Sequence, residues 1–103
     1  MEVKLEGRNV EVGDEMRERI QSKLDNLDRR FGPITHARVT IERHTRKNDQ
    51  RAEAKAVINI AGNTITASKE AATVPSAVNE TLDTLTQEMR SYVEKQKKRH
   101  HRR

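Results

Sequence analysis

The sequence predicts an α+β fold in the order β-α-β-β-β-α, with two helices packed on one face of a four-stranded, mostly antiparallel sheet. In two segments apolar residues recur every three or four positions, which is typical of helices with one buried face. In four others they alternate with polar residues, which is typical of half-buried strands. With 103 residues, 32% of them hydrophobic, the chain has room for one small core.

The first strand and the first helix follow directly from this pattern. Val3 and Leu5 alternate with charged residues in the opening strand, and Asp14 or Gly13 begins the helix. Gly32-Pro33 ends this helix, because proline cannot continue it. The apolar stripe of the helix consists of Met16, Ile20, Leu24, Leu27 and Phe31.

Three further strands and a second helix follow. The segments ITHARVTIER, AEAKAVINI and TITAS alternate as strands do. The segment HTRKNDQR between the first two is predicted as a polar turn with its tip at Asn48-Asp49, and Ala61-Gly62-Asn63 as a tight hairpin. Thr73 is the expected N-cap of the last helix. Its apolar stripe is Val78, Leu82, Leu85, Met89 and Tyr92/Val93.

Positive charge is concentrated at the C-terminal end. The chain has 21 Lys and Arg against 16 Asp and Glu, a formal net charge of +5, which favours a polyanionic partner. Six of the bases follow Glu94, so the residues up to Glu94 carry a formal charge of −1. A helix that is polar all round has nothing to pack against, so we expect fraying beyond Val93. The domain is therefore predicted over residues 1–94, followed by a basic, disordered tail at 95–103.

The bases of the first helix form one ridge. At about 100° per residue, Arg19, Lys23 and Arg30 lie on one flank of its apolar stripe together with Asn26, while its acids point elsewhere. Such a ridge can follow a phosphate backbone, although basic side chains at a helix flank also commonly cover apolar surface. The predicted RNA-binding residues are Arg19, Lys23, Arg30, Arg90, Lys95, Lys97, Lys98, Arg99, Arg102 and Arg103. A possible RNA-binding loop comprises Arg43, Arg46 and Lys47.

The chain lacks the residues that base stacking and catalysis require. Phe31 and Tyr92 are the only aromatic residues, so RNA would be held through phosphates, sugars and shape. There is no cysteine, no carboxylate pair converging on one place and no glycine-rich phosphate loop. His36 and His44 have no further ligand placed with them, so no metal site is predicted. We expect neither an enzyme nor a cofactor, no small-molecule substrate, no membrane span, and a cytoplasmic location.

The residues resemble those of the ribosome hibernation promoting factor / ribosome-associated inhibitor A family. The resemblance covers nearly the whole chain. It rests on "NVEV" before the first helix, on the helix pattern Met16-Arg17, Ile20, Lys23-Leu24, Leu27 and Phe31, and on the Gly62 hairpin leading to Ala67-Ser68. Because the chain ends after the last helix, it resembles the short, single-domain forms, in a divergent version.

The resemblance implies a fold similar in shape to a double-stranded RNA-binding domain. It also implies binding to the rRNA of the small ribosomal subunit, in the decoding channel, where such a protein blocks the mRNA and tRNA sites under stress or in stationary phase. Lys23 falls on a commonly basic family position. Thr84 and Gln87 stand where the family often has bases. Off the ribosome, we expect a monomer.

Two other functions remain open from the residues. The first is a general double-stranded RNA-binding protein without a defined ribosomal site. The second is a protein-interaction module, since the outward-facing residues of the predicted strands are mixed in charge.

Overall fold

A computed structural model describes residues 1–46 and 49–101, and side chains as far as Gln96 with the exception of Arg46. Its elements are β1 (Glu2–Arg8), α1 (Asp14–Phe31), β2 (Ile34–Arg46), β3 (Asp49–Ile60), β4 (Asn63–Ala71) and α2 (Val74–His101). The predicted order β-α-β-β-β-α is confirmed. Four predicted positions lie outside the described residues: Lys47, Asn48, Arg102 and Arg103.

The four strands form one mixed sheet in the order β1-β2-β3-β4. Strand β1 pairs with β2 in parallel, with Leu5 opposite Val39, because α1 carries the chain back to the starting edge before β2 begins. The β2–β3 and β3–β4 pairs are antiparallel. The prediction of a mostly antiparallel sheet is therefore confirmed.

Both helices lie on one face of the sheet and bury the predicted apolar stripes. Leu24 and Leu27 of α1 and Leu85 of α2 are fully buried. Strand β3 presents small side chains to this core, among them Ala54, so α2 lies close to the sheet. There the buried Thr81 hydroxyl donates a hydrogen bond of 3.0 Å to the Ala54 carbonyl. This bond joins the first third of α2 to an interior strand.

Local signals in the sequence determine where the elements begin and end. Gly13 is the N-cap of α1, and the Thr73 Oγ1 atom accepts a 3.3 Å hydrogen bond from the Ser76 amide at the start of α2, as predicted. After α1, the Asp28 carboxylate accepts a 2.6 Å hydrogen bond from the Ile34 amide and so supports the turn into β2. The β3–β4 hairpin turns through Ala61 and Gly62, both with positive φ, which Gly62 adopts without strain.

Two boundaries differ from the prediction. The polar turn expected over residues 44–51 is wrong at both ends, because β2 continues to Arg46 and β3 starts at Asp49, with these two residues paired. Cross-strand pairing satisfies this backbone although its side chains are polar. Helix α2 continues to His101, past the fraying expected beyond Val93. The helix therefore has no break at residue 94, whereas a separate role for residues 95–103 stays a prediction.

Candidate nucleic-acid interface

A polar groove of about 550 Å³ lies between α1 and α2 on the face away from the sheet. Arg19 lies beside Asn79, whereas Asn26, two turns further along α1, shares the groove with Asp83, one turn further along α2. Because residue numbers rise in the same direction on both sides, the two helices run parallel. We call this feature the interhelical groove. Its lining residues are Arg19, Ser22, Lys23, Asn26, Asn79, Leu82 and Asp83.

Two rows of side chains with the same spacing border the interhelical groove. On α1, the ridge predicted from the sequence contributes four residues at spacings of four, three and four. On α2, three residues follow Asn79 at the same spacings, and all three point within roughly 40° of the Asn79 direction around the helix axis. Arg30 and Arg90 thus continue the two rows beyond the groove at equivalent positions. The rows are Arg19, Lys23, Asn26 and Arg30 on α1, and Asn79, Asp83, Thr86 and Arg90 on α2.

The cations of the groove are available for an external anion. The Arg19 Nη1 atom donates a 3.4 Å hydrogen bond to Asn79 Oδ1, which leaves its other N–H groups free. Lys23 is half-buried, and no ion pair within 4 Å reaches Arg19, Lys23, Arg30 or Arg90 from the residues that the structure describes. The Arg30 guanidinium lies 5.0 Å from the centre of the Phe31 ring, a cation–π contact that restrains it.

Other predicted RNA-binding residues lie away from the groove. Lys95 is exposed, but helical periodicity puts it about 160° from the Asn79 row of α2. Arg43 is exposed on the helix-bearing face of β2, in register with Ala52, near the end of the sheet where α2 begins. The backbone is described, without side chains, for Arg46, Lys97, Lys98 and Arg99. The groove thus brings together two of the predicted residues, Arg19 and Lys23, while Arg30 and Arg90 lie further along the same two rows. Arg43 lies near the start of α2, far from residues 95–101 at its other end.

The outer face of the sheet, opposite the helices, carries the ion pairs. His36 lies 3.3 Å from Glu2, and His44 lies 3.7 Å from Glu70. Arg51 contacts the same Glu70 at 3.7 Å. Both histidines therefore share one face, as their even spacing predicts, and each has a carboxylate beside it. No cluster of three or more metal-ligating side chains occurs among the described residues, and none of the described helices is long and apolar enough to cross a membrane.

Asn79 and Asp83 are groove residues that the sequence reasoning did not identify. A polar side chain on an exposed helix face is unremarkable until its neighbour on another helix is known. The available signal was the spacing of Asn79, Asp83, Thr86 and Arg90, which repeats that of the ridge on α1. The spacing gains meaning only once the parallel packing of the two helices is established.

The fold and site together define a class: a small α+β domain with a cationic groove between two parallel helices. Within it, the chain belongs to the family described as sigma 54 modulation protein / S30EA ribosomal protein, whose model matches residues 3–97. Over 89 residues it is 38% identical to the ribosome hibernation promotion factor of Deinococcus radiodurans. The match covers 85% of this chain and 47% of that relative, so the chain spans about half the relative's length. The resemblance noted in the sequence is confirmed, and this is a family of ribosome-associated factors rather than of enzymes.

Two solved structures share the fold. The N-terminal domain of Thermus thermophilus Protein Y superimposes with a TM-score of 0.70 at 24% sequence identity, over 89% of this chain and 99% of that one. A ribosomal subunit interface protein from Coxiella burnetii gives a TM-score of 0.70 at 21% identity, over 89% of this chain and 97% of that one. At these identities the similarity establishes the architecture of a four-stranded sheet with two helices.

Proposed function

We propose that this chain is a cytoplasmic ribosome hibernation factor that binds the rRNA of the small subunit in the decoding channel and blocks the tRNA and mRNA sites. The relationship to a hibernation promotion factor over 85% of the chain supports the ribosome as the partner. The observation that carries the proposal is the interhelical groove. Arg19 and Lys23 lie on one side of it, and Arg90 continues its other side from more than 60 positions further along the chain.

The groove fits the backbone of RNA better than its bases. The row from Arg19 to Arg30 is about 17 Å long at 1.5 Å per residue, enough to follow a few consecutive phosphates. Its cations bind phosphates and release counterions, which drives association in a salt-dependent way. None of its lining residues is aromatic, so it offers no platform for stacking. The protein then acts by occupying a site rather than by chemistry, without cofactor or substrate.

The tail has a supporting role in this proposal. Residues 95–103 carry six bases and no acid, and they follow Arg90, the last residue of the α2 row. We assign them as an auxiliary arm that attracts rRNA and compensates for Thr84 and Gln87, where bases are expected by resemblance. Arg43, Arg46 and Lys47 would add a second contact at the other end of the domain. Off the ribosome the protein is a monomer in this proposal.

Three variants with the same net charge test the proposal. The first reverses the ridge with Arg19→Glu, Lys23→Glu and Arg30→Glu. The second ends the chain after Glu94, and the third is a matched control on the outer face of the sheet. Each variant loses six units of formal charge from +5, leaving −1, so only the position of the charge differs. The control substitutions are Lys4→Glu, Arg38→Glu and Lys55→Glu, all at exposed positions.

Co-sedimentation with purified small subunits at moderate salt is the measurement. We expect ridge reversal to abolish binding, truncation to weaken it, and the outer-face control to retain most of it. Equal losses in all three would show that net charge alone matters, which contradicts a defined groove. Competition then addresses the site: tRNA should displace the bound protein, and displacement by a free RNA duplex alone would indicate a general double-stranded RNA binder.

A further inference from the structure

We propose that the interhelical groove holds one nucleotide of the RNA in a fixed orientation. Its phosphate lies on Arg19 and Lys23, and a hydrogen-bond donor of its nucleoside lies on the Asp83 carboxylate. This inference rests on the proposed function and adds a residue that determines specificity. It starts from an apparent contradiction, because an acid lines a groove that otherwise suits an anion.

Asp83 is not neutralised by a neighbouring base. Although it shares the groove with Arg19 and Lys23, no ion pair within 4 Å involves it among the residues that the structure describes. The described hydrogen bonds do not use its carboxylate either. An ionised carboxylate only accepts hydrogen bonds. A nucleotide supplies two kinds of donor for it, the ribose 2′-hydroxyl and the exocyclic amine of a base.

The dimensions of the groove suit one nucleotide. Arg19 and Lys23 are four residues apart on one helix face, at a separation of about 6 Å, close enough to bind the same phosphate. Asn26 also lines the groove, on the side of Lys23 away from Arg19. The groove is open to solvent, and its volume of about 550 Å³ is large enough for one nucleotide. A phosphate on the α1 side of the groove therefore leaves the nucleoside facing Asp83 on the α2 side.

Arg19 has a defined place in this arrangement. Its hydrogen bond to Asn79 crosses from one helix to the other and restrains the guanidinium beside the groove. Asn79 is thus a positioning residue for the phosphate, whereas Asp83 contacts the nucleoside itself. The cations and the acid lie on opposite sides of the groove, Arg19 and Lys23 on α1 and Asp83 on α2, so the phosphate of the nucleotide faces α1 and its nucleoside faces α2.

The proposal predicts that removing the charge of Asp83 lowers the affinity for RNA, whereas simple electrostatics predicts that it raises the affinity. Asp83→Ala removes a negative charge from the RNA site, so charge alone would tighten binding. We expect it instead to weaken binding to purified small subunits about ten-fold, the usual effect of losing a hydrogen bond to a charged group. The dependence of binding on salt should stay unchanged, because no phosphate contact is lost.

A matched control is available on the same helix. Glu88 is exposed and lies about 180° from the Asn79 row, so Glu88→Ala makes the same change in net charge outside the groove. We expect its binding to be unchanged or slightly tighter. Asp83→Asn keeps an acceptor oxygen and should bind with intermediate affinity. Thermal unfolding of the variants checks that the exposed substitutions leave the fold intact. Asp83→Ala binding as tightly as Glu88→Ala would overturn the proposal.

A second measurement identifies the donor and distinguishes this proposal from the function on which it rests. A mixed-sequence single-stranded RNA of about 20 nucleotides and its DNA counterpart are compared at low salt by fluorescence anisotropy. If Asp83 accepts from the 2′-hydroxyl, Asp83→Ala removes the preference for RNA. If it accepts from a base amine, the variant binds the RNA and the DNA more weakly by the same factor, so the ratio of the two affinities is unchanged.

The possible failures are separable. If the wild-type protein does not sediment with small subunits, the proposed function is wrong, whatever Asp83 does. If it sediments and Asp83→Ala changes neither ribosome binding nor oligonucleotide binding, the groove binds phosphates only and the present inference is wrong. Inorganic phosphate and AMP serve as competitors. Displacement by AMP at concentrations where phosphate has no effect supports recognition of a nucleoside, and equal displacement by both contradicts it.

Discussion

The hydrogen bond from Thr81 to Ala54 fixes α2 on the sheet, and its contribution can be separated from that of packing. Thr81 is 1% exposed, and its hydroxyl lies 3.0 Å from the carbonyl oxygen of an interior strand. Thr81→Val keeps the shape and removes the bond, which costs about 1 kcal/mol. Thr81→Ser keeps the bond and removes a buried methyl group, at a cost of about 0.8 kcal/mol. Thr81→Ala loses both and should cost about 2 kcal/mol.

Urea and thermal unfolding measure these differences. For a domain of this size, about 1 kcal/mol corresponds to a melting temperature lower by roughly 4–8 °C. The urea m-value should not change, since each variant unfolds the same surface. The reasoning would be refuted if Thr81→Val were as stable as the wild type while Thr81→Ala lost the full amount. Packing alone would then hold α2 in place, and the bond would contribute nothing measurable.

The remaining predictions concern the ridge and the turn after β1. In the proposed function Arg19, Lys23 and Arg30 each contact a phosphate, so neutralising all three to Gln should make binding less sensitive to salt. When salt is raised from about 50 to 200 mM, the fold-loss of affinity for small subunits should be roughly 20 to 40 times smaller for the variant than for the wild type. An unchanged salt dependence in sedimentation assays would place the phosphate contacts elsewhere. Gly7→Ala should lower the free energy of unfolding by about 1–3 kcal/mol, because the new Cβ would overlap the Val10 carbonyl oxygen. Retention of wild-type stability in urea unfolding would show that this backbone can shift.

Much of the fold could be predicted because local and tertiary demands agree. In α1, the structure buries residues of the apolar stripe that helical spacing predicts, among them Ile20, Leu24 and Leu27. Thr73 caps α2 as its residue type predicts. The failure at residues 44–51 has a physical cause. Those residues are polar, yet cross-strand pairs such as His44 with Arg51 extend the hairpin, and an exposed hairpin needs paired backbone rather than apolar side chains.

The site could be predicted only in part. The ridge of Arg19, Lys23 and Arg30 follows from periodicity within one helix, so the sequence is sufficient to find it. Asn79 and Asp83 belong to the site because α2 lies beside α1 and runs parallel to it. Which helix faces meet is decided by packing on the sheet, where the small side chains of β3 determine how close α2 comes. The spacing within α2 repeats that of the ridge, but it does not by itself show which face of α2 meets α1.

The placement of charge separates attraction from recognition. The six bases of residues 95–103 outweigh a remainder with a formal charge of −1, so they dominate the long-range field of the protein. Such a field mainly raises the rate of association, and it acts without a fixed geometry. The groove holds its cations at fixed distances beside acceptors, and contacts of this kind mainly set the rate of dissociation. Truncation after Glu94 should therefore slow association, whereas substitutions at Lys23 or Asp83 should speed dissociation. A strongly basic tail can bring the protein to any RNA, and the choice of one site then depends on the groove.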